Sequence, residues 1–350
     1  MRVLLLGEFS GFFKYLKEGL EKNGVEVDWY AGGDGFKKIT GMNGDIKGHT
    51  GIKLIDKILY PYHLINKLRG YDVVQLVNPL IFSPWINANI IKKLKKNNRL
   101  LVVSSVGTDY SVYKYQKQEK RAYEYYLLDN CDDYDIYYAQ ECRYTRDYEA
   151  VMECCDAIIP GSCEYALAYQ NNPKKLPIIH YPINLDEIEY KENVVEDKIV
   201  FFHGLNREAF KGTKYIREAM EELQRKYPDE VEIIIDGRMP FDQYLAVMQM
   251  ANVIVDQCKS YGPGINALIA MAQGKIVLGG SEKGAVEEEE KCPIWNIKPD
   301  KDQIFSVLEQ IVINKDRITV WGKESRQYVE KYHNSVDKAA EYIKTWQSLM

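Results

Sequence analysis

No apolar run approaches the roughly 18 residues that a membrane-crossing helix needs. No charged-then-apolar leader opens the chain either, so neither a span nor a secretion signal is expected. Histidine is scarce: His49, His63, His180, His203 and His333 are the five, and none stands at metal-ligand spacing from a cysteine or carboxylate. The seven cysteines contain no CxxC pair and read as reduced thiols, so no metal is expected. A GxGxxG turn is missing too. The first turn reads "GEFSG" (7–11), which argues against a dinucleotide oxidoreductase. Charge of one sign is also lacking: the net charge is −5, and nothing global points to nucleic acid. What is present is a chain of 350 residues, 46% hydrophobic, long enough for a large core and two domains. Tyrosine is abundant at 27 residues and crowds between Tyr110 and Tyr148.

Short apolar runs alternate with helical periodicity. "MRVLLLG" (1–7) suits a buried parallel strand, and "GEFSGFFKYLKEGLEKNG" places Phe13, Leu16 and Leu20 on one helix face with Gly24 as a stop. "VEVDWYA" follows as a strand, completing a right-handed βαβ unit. Further strands are expected at 72–78, 100–105, 157–161 and 177–181. The pattern restarts near residue 198 with strand "KIVFFHG", helix "KGTKYIREAMEELQRKY" (211–227) and strand "VEIIIDG". A helix over 240–250 and strands at 252–257 and 275–280 follow. "PIWNI" and helices over 300–313, 316–332 and 334–348 close the chain. Between the halves lies the acidic, strand-poor "NLDEIEYKENVVEDK" (184–198), a linker by composition. The fold class expected is α/β, with two doubly wound Rossmann-like domains facing each other across a cleft that receives the ligand.

Where would chemistry sit? Arg207 and Lys211 flank the turn after "KIVFFHG", where a helix start favours an anion. Two solvated cations at a helix end would look the same. "YGPGINALIAMAQGK" (261–275) opens a helix through a glycine–proline turn, and its Gly262, Gly264, Ile265 and Asn266 offer backbone N–H groups to a phosphate. A turn chosen only to enter a buried helix is the alternative. Asp109 ends "SSVGTDY" (104–110), and aspartate in such a turn is commonly a cap. "KKLKKNNR" (92–99) suits either anionic lipid or a solvated helix face.

In order, "HGLNREAFKGTKYIREAM", "EIIIDG", "YLAVMQMANVIVDQ", "GPGINALIAMAQGKIVLGG", "KGAVEEEE" and "DRITVWGKESRQYVEKYHNSVDKAAEYI" resemble the donor-binding half of GT-B glycosyltransferases, in particular the retaining family 4 type. The first half is similar only in outline. The resemblance implies sugar transfer from a UDP- or GDP-type nucleotide sugar to a saccharide or lipid-linked saccharide, with retention, without metal and without a further cofactor. It is the kind of chemistry used in bacterial-type surface glycan synthesis. The resemblance also implies that Arg207 and Lys211 hold the donor diphosphate and that Gly11 faces it. With Val106 in place of a histidine, Asp109 is the titratable group left for a catalytic role at the donor sugar or an acceptor hydroxyl; Glu288 in "KGAVEEEE" would lie near the donor, or the four glutamates are a solvated helix face.

Two departures are plain. The family's paired glutamates fall on Tyr261 and Ile269, and the histidine that many members place beside the sugar falls on Val106. A GT-B protein that only binds a nucleotide or glycan is therefore the competing reading, and a sugar-nucleotide epimerase of related shape a weaker one. The division implied is an acceptor-side domain over 1–183 with the Tyr-rich insertion at 110–148, and the linker 184–198. A donor-binding domain over 199–332 follows, and a C-terminal helix (333–350) returns toward the first domain. The expected location is cytoplasmic, with peripheral contact at the inner membrane face as an option, and the oligomeric state is open.

Overall fold

The computed structural model describes residues 1–32, 39–84, 86–107, 109–119, 141–205, 208–237, 239–282 and 291–350. Two compact units emerge. The first takes Met1–Gln118, the described part of 136–184 and Ser335–Met350; the second takes Leu185–Asn334.

The first unit runs β1 (Arg2–Leu6), α1 (Phe12–Lys22), β2 (Glu26–Ala31), β3 (Gly44–Asp45), α2 (Tyr60–Lys67), β4 (Val73–Leu76), α3 (Asn87–Asn97) and β5 (Leu100–Ser105). After these come α4 (Tyr110–Glu119), α5 (Glu141–Cys154), β6 (Ala157–Pro160) and α6 (Cys163–Ala168). The strands form one parallel sheet in the order β3-β2-β1-β4-β5-β6, with Val3 opposite both Val27 and Val73. Every residue of β4, β5 and β6 is buried, as expected of a parallel sheet covered on both faces.

The apolar stripe of α1 (Phe12, Phe13, Leu16, Leu20) packs inward, and the helix stops at Gly24, whose φ of +76° is a left-handed conformation that suits glycine. The last helix, Ser335–Leu349, lies against α1. Its Trp346 Nε1 donates to Gln75 Oε1 at 3.1 Å, and Gln75 Nε2 donates to Ser104 Oγ at 2.8 Å, so the chain end is keyed to β4 and β5.

The second unit runs β7 (Ile199–Leu205), α7 (Glu208–Lys211), α8 (Thr213–Lys226), β8 (Val231–Gly237), α9 (Phe241–Met250), β9 (Val253–Val255) and α10 (Ile265–Ala272). It continues with β10 (Ile276–Gly279), β11 (Trp295–Asn296), α11 (Lys301–Ile313) and α12 (Ile318–Tyr332), after which the helix at Ser335–Leu349 is α13. Its parallel sheet has the order β11-β10-β9-β7-β8. Phe201, Ile216, Met220, Leu223, Val255 and Leu278 meet in its core. The α/β class and its two doubly wound parallel sheets are as the sequence predicts.

Two local expectations fail for identifiable reasons, and one short strand is unexpected. Residues 177–181 form no strand: the segment opens on Pro177 and runs into Pro182, neither of which has an N–H to donate, and it is tied to β6 by Ile179 N, which donates to Pro160 O at 3.0 Å. β3 has two residues and no apolar run to announce it. The helix expected over 211–227 is broken at Gly212 (φ +76°), where a Cβ would collide with Cys258 Sγ. Lys211 therefore ends the short α7 instead of opening the long helix. Residues 120–140, the middle of the Tyr-rich stretch, lie outside the described residues.

Candidate functional site

In the second sheet β7 lies between β8 and β9, so the segments leaving β7 and β9 diverge at their carboxyl ends. Such a divergence is where open α/β sheets receive ligands. Gly204 and Leu205 end β7, Asp256 follows β9, and Lys211 joins them. Its Nζ lies 3.0 Å from Asp256 Oδ1 and donates to Gly204 O at 3.3 Å. The two side chains are 7% and 5% exposed. The backbone is locked beside them: Cys258 N donates to Lys211 O at 2.9 Å, and Lys259 Nζ to Ala209 O at 3.2 Å. Gly204 has no room for a side chain, because Tyr244 Cε2 and Oη would stand 2.7 Å from its Cβ.

His203 completes this corner from within β7. Its Nδ1 is 2.6 Å from Val255 O and its Nε2 2.8 Å from Thr213 Oγ1. A carbonyl only accepts, so Nδ1 carries the proton and the Thr213 hydroxyl donates to Nε2. Burial, with Lys211 nearby, pushes the imidazole down to about 4, so it is neutral at pH 7. Sequence reasoning gave this histidine no role; the signal was a polar residue inside the apolar run "KIVFFHG".

The glycine–proline turn lies in the same unit. Gly264 caps α10 in an extended conformation (φ −95°, ψ 174°) with no side-chain cap and no acidic residue in the first turn. The N–H groups of Ile265, Asn266 and Ala267 meet no acceptor among the described residues. A Cβ built on Gly264 would find nothing within 4 Å. Gly262 is buried, its carbonyl taken by Ser260 Oγ at 2.8 Å; Tyr261 and Asn266 are partly exposed. Ile269, where the resemblance would place a second glutamate, is fully buried, and a carboxylate would be stranded there. Arg207, Glu287 and Glu288 lie outside the described residues.

The first unit treats its candidates differently. Gly11 caps α1 with φ +92°, and its N–H donates to Glu8 Oε1 at 2.8 Å while Lys14 N donates to Glu8 Oε2 at 3.0 Å. The anion at this helix start is thus the chain's own carboxylate. Asp109 is 1% exposed; Oδ1 accepts from Val112 N at 2.9 Å, capping α4, and Oδ2 accepts from the Tyr169 hydroxyl at 2.5 Å. Burial raises its carboxyl to about 6, although the Tyr169 hydroxyl and the α4 N–H groups favour the ionised form. Among the described residues no group of histidine, cysteine, aspartate and glutamate could hold a metal ion.

Whole-chain comparison with solved structures identifies the architecture. Sucrose-phosphate synthase from Thermosynechococcus elongatus superposes with a TM-score of 0.67 at 17% identity, over 100% of this chain and 99% of that one. HepE of Anabaena, solved with UDP and glucose, gives a TM-score of 0.63 at 10% identity over 99% of this chain and 100% of its own. WaaG, a glycosyltransferase involved in lipopolysaccharide biosynthesis, gives 0.63 at 13% identity over 97% and 98%. The fold is GT-B. No protein-family model matches the chain, and neither does any curated protein.

Proposed function

We propose that this GT-B protein is a glycosyltransferase, moving a sugar from a UDP- or GDP-type nucleotide sugar to a saccharide or lipid-linked saccharide. The observation that carries the reading is the corner between β7 and β9. The unit that holds that corner and its buried lysine also holds, on the segment following β9, an uncapped helix start behind Gly264. Lys211, with Arg207, would neutralise the diphosphate, and the N–H groups at Gly264–Asn266 would bind its oxygens. Gly11 and Tyr261 are proposed as further donor contacts, and Glu288 as the acidic group nearest the transferred sugar. HepE, which shares the fold, was solved with UDP.

The neutralisation proposed here uses cations and backbone dipoles without a metal. Family 4 chemistry, if shared, gives retention, with the departing phosphate assisting the incoming hydroxyl. Asp109, bonded on both oxygens, is proposed to hold α4 and Tyr169 in place near the acceptor side. Surface glycan synthesis in the cytoplasm, with peripheral membrane contact, is the setting that suits a lipid-linked acceptor.

A second reading is favoured by one observation: Ile269 is core, and the family's glutamates have no replacement on α10. On that reading the chain binds a nucleotide or glycan without turnover. Calorimetric titration with UDP, GDP and their sugars, followed by product analysis with candidate acceptors, separates the two. Binding with transfer or slow hydrolysis supports the enzyme. Binding without any turnover supports the module, and absence of nucleotide binding sinks both donor-site readings.

A further inference from the structure

Three of the large apolar side chains that stand most exposed among the described residues fall within eight positions: Ile52 at 56%, Leu54 at 60% and Leu59 at 55%. They lead into α2, whose inner side is made by Pro61, Leu64 and Ile65, with Leu68 just beyond it. At regular α-helical spacing Leu54 would share the stripe of Pro61 and Leu68, which follow at seven-residue intervals. It does not, because the segment Ile55–Leu59 is a single π-helical turn. A π turn holds about one residue more than an α turn. The extra residue takes Leu54 off the buried stripe. Tyr60 N closes the turn on Ile55 O. Leu54 and Leu59, one π turn apart, are both left in solvent.

The charge around this apolar group is predominantly positive, and the nearby Asp45 is taken up by His49 Nε2 at 2.9 Å. Between residues 51 and 70 the chain carries Lys53, Lys57, Lys67 and Arg69 against the single carboxylate Asp56. That carboxylate is turned back onto its own loop, accepting from Thr50 N at 2.8 Å, Thr50 Oγ1 at 2.7 Å and Gly51 N at 2.9 Å. All four cations are exposed. The whole chain has a net charge of −5, so this local excess is not a sample of its general surface. α2 packs on α3, which adds the exposed Lys92 and Lys96 to the same pair of helices.

Exposed leucine and isoleucine set among lysines is the composition of a segment that lies in a membrane interface. The apolar tips enter the acyl boundary while the lysine stems reach back to the headgroups. We infer that the segment Ile52–Leu59, with Lys53 and Lys57, docks the first unit on an anionic lipid bilayer. A protein partner would also cover apolar side chains, but neither an acidic nor a neutral protein surface accounts for both halves of the patch as simply as headgroup phosphates above hydrocarbon. The inference rests on the peripheral placement proposed above and not on the donor chemistry.

The test is co-sedimentation of the full chain with vesicles of phosphatidylglycerol and phosphatidylcholine, against phosphatidylcholine alone. Affinity for UDP is measured in parallel. Binding should need the anionic lipid and should weaken in about 1 M salt, where the screening length falls to roughly 3 Å. Lys53→Glu with Lys57→Glu should lower the partition about tenfold or more, since each cation near such a surface is worth about fivefold. Leu54→Glu with Leu59→Glu should abolish it. UDP affinity and melting temperature should stay at the parent value in both variants, because all four positions are exposed and lie outside the donor site. Three results would overturn the inference: no binding to anionic vesicles, equal binding to neutral ones, or unchanged binding in both variants. So would self-association of the parent chain that Leu54→Glu abolishes without any vesicle effect, which would assign the patch to a second copy.

Discussion

Lys211 Nζ and Asp256 Oδ1 form an ion pair 3.0 Å long between two side chains that are almost wholly buried. The pair bridges the segments that leave β7 and β9. An unpaired charge in that position is expensive, whereas removing both charges together is often close to neutral.

Lys211→Met should therefore lose stability by about 3–5 kcal/mol, because Asp256 is left buried without its partner. Lys211→Met combined with Asp256→Asn should recover most of that loss. Both variants should lose UDP affinity by about 1.5–3 kcal/mol, the range for hydrogen bonds to charged groups. Calorimetric titration and chemical denaturation of the four proteins in this cycle check both halves. A stable double variant that binds UDP as tightly as the parent would remove Lys211 from the donor site.

Gly264→Val separates the two meanings of the glycine–proline turn. The position is extended and its Cβ would stand in open space, so a valine fits without strain. Loss of a good cap residue should lower stability by only about 1 kcal/mol. If a phosphate approaches the N–H groups of Ile265 and Asn266, the branched side chain should obstruct it and weaken UDP binding about tenfold or more, a difference of about 1.4 kcal/mol. Parent-like binding in a folded variant would make the turn purely structural.

Most strands were legible as short apolar runs, several of them ending in glycine, and the periodic faces of α1, α8 and α11–α13 marked the helices. The break at Gly212 was not. The stretch "FKGTKYI" has continuous helical periodicity, and only the approach of Cys258 shows why the backbone must turn left-handed there. The site was half visible for the same reason. Lys211 and Gly264 stand within local motifs, but the carboxylate that pairs with Lys211 comes from 45 residues further on. Glu8, which occupies the start of α1, was given no role by the sequence, where it stands only as part of "GEFSG". Asp109 could be read as a cap or as a catalytic group, and its partner Tyr169 lies 60 residues away.

His203 predicts an acid limb in the stability of the second unit. Its folded value of about 4 lies below the ordinary 6.5, so the unfolded chain binds the proton more readily. The contribution is complete above 6.5 and drains away as the pH falls toward 4, amounting to about 3 kcal/mol across that window. His203→Gln keeps a donor and an acceptor but cannot titrate. Melting curves at pH 7 and at pH 4.5 should show a steeper acid loss for the parent than for the variant. Equal losses would mean that the buried imidazole does not set this limb.

Asp109 carries the opposite sign. Its carboxyl is held up at about 6 against an ordinary 3.8, so the folded chain holds the proton more tightly than the unfolded one. The stabilisation is complete below 3.8 and is lost as the pH rises through about 6, a swing of about 3 kcal/mol. Asp109→Asn cannot ionise, yet its side-chain oxygen can still accept from Val112 N and cap α4. Relative to the parent, the variant should therefore gain stability as the pH rises from 4 to 7. Denaturant midpoints measured at both ends of that range decide it: a constant difference between the two proteins would show that Asp109 is solvated and ionised throughout. Turnover gives the second readout. If Asp109 only positions α4 and Tyr169, the variant should keep its donor affinity and most of its rate at pH 7. A fall of about a hundredfold in kcat with stability intact would make the carboxylate a group that touches the reacting sugar.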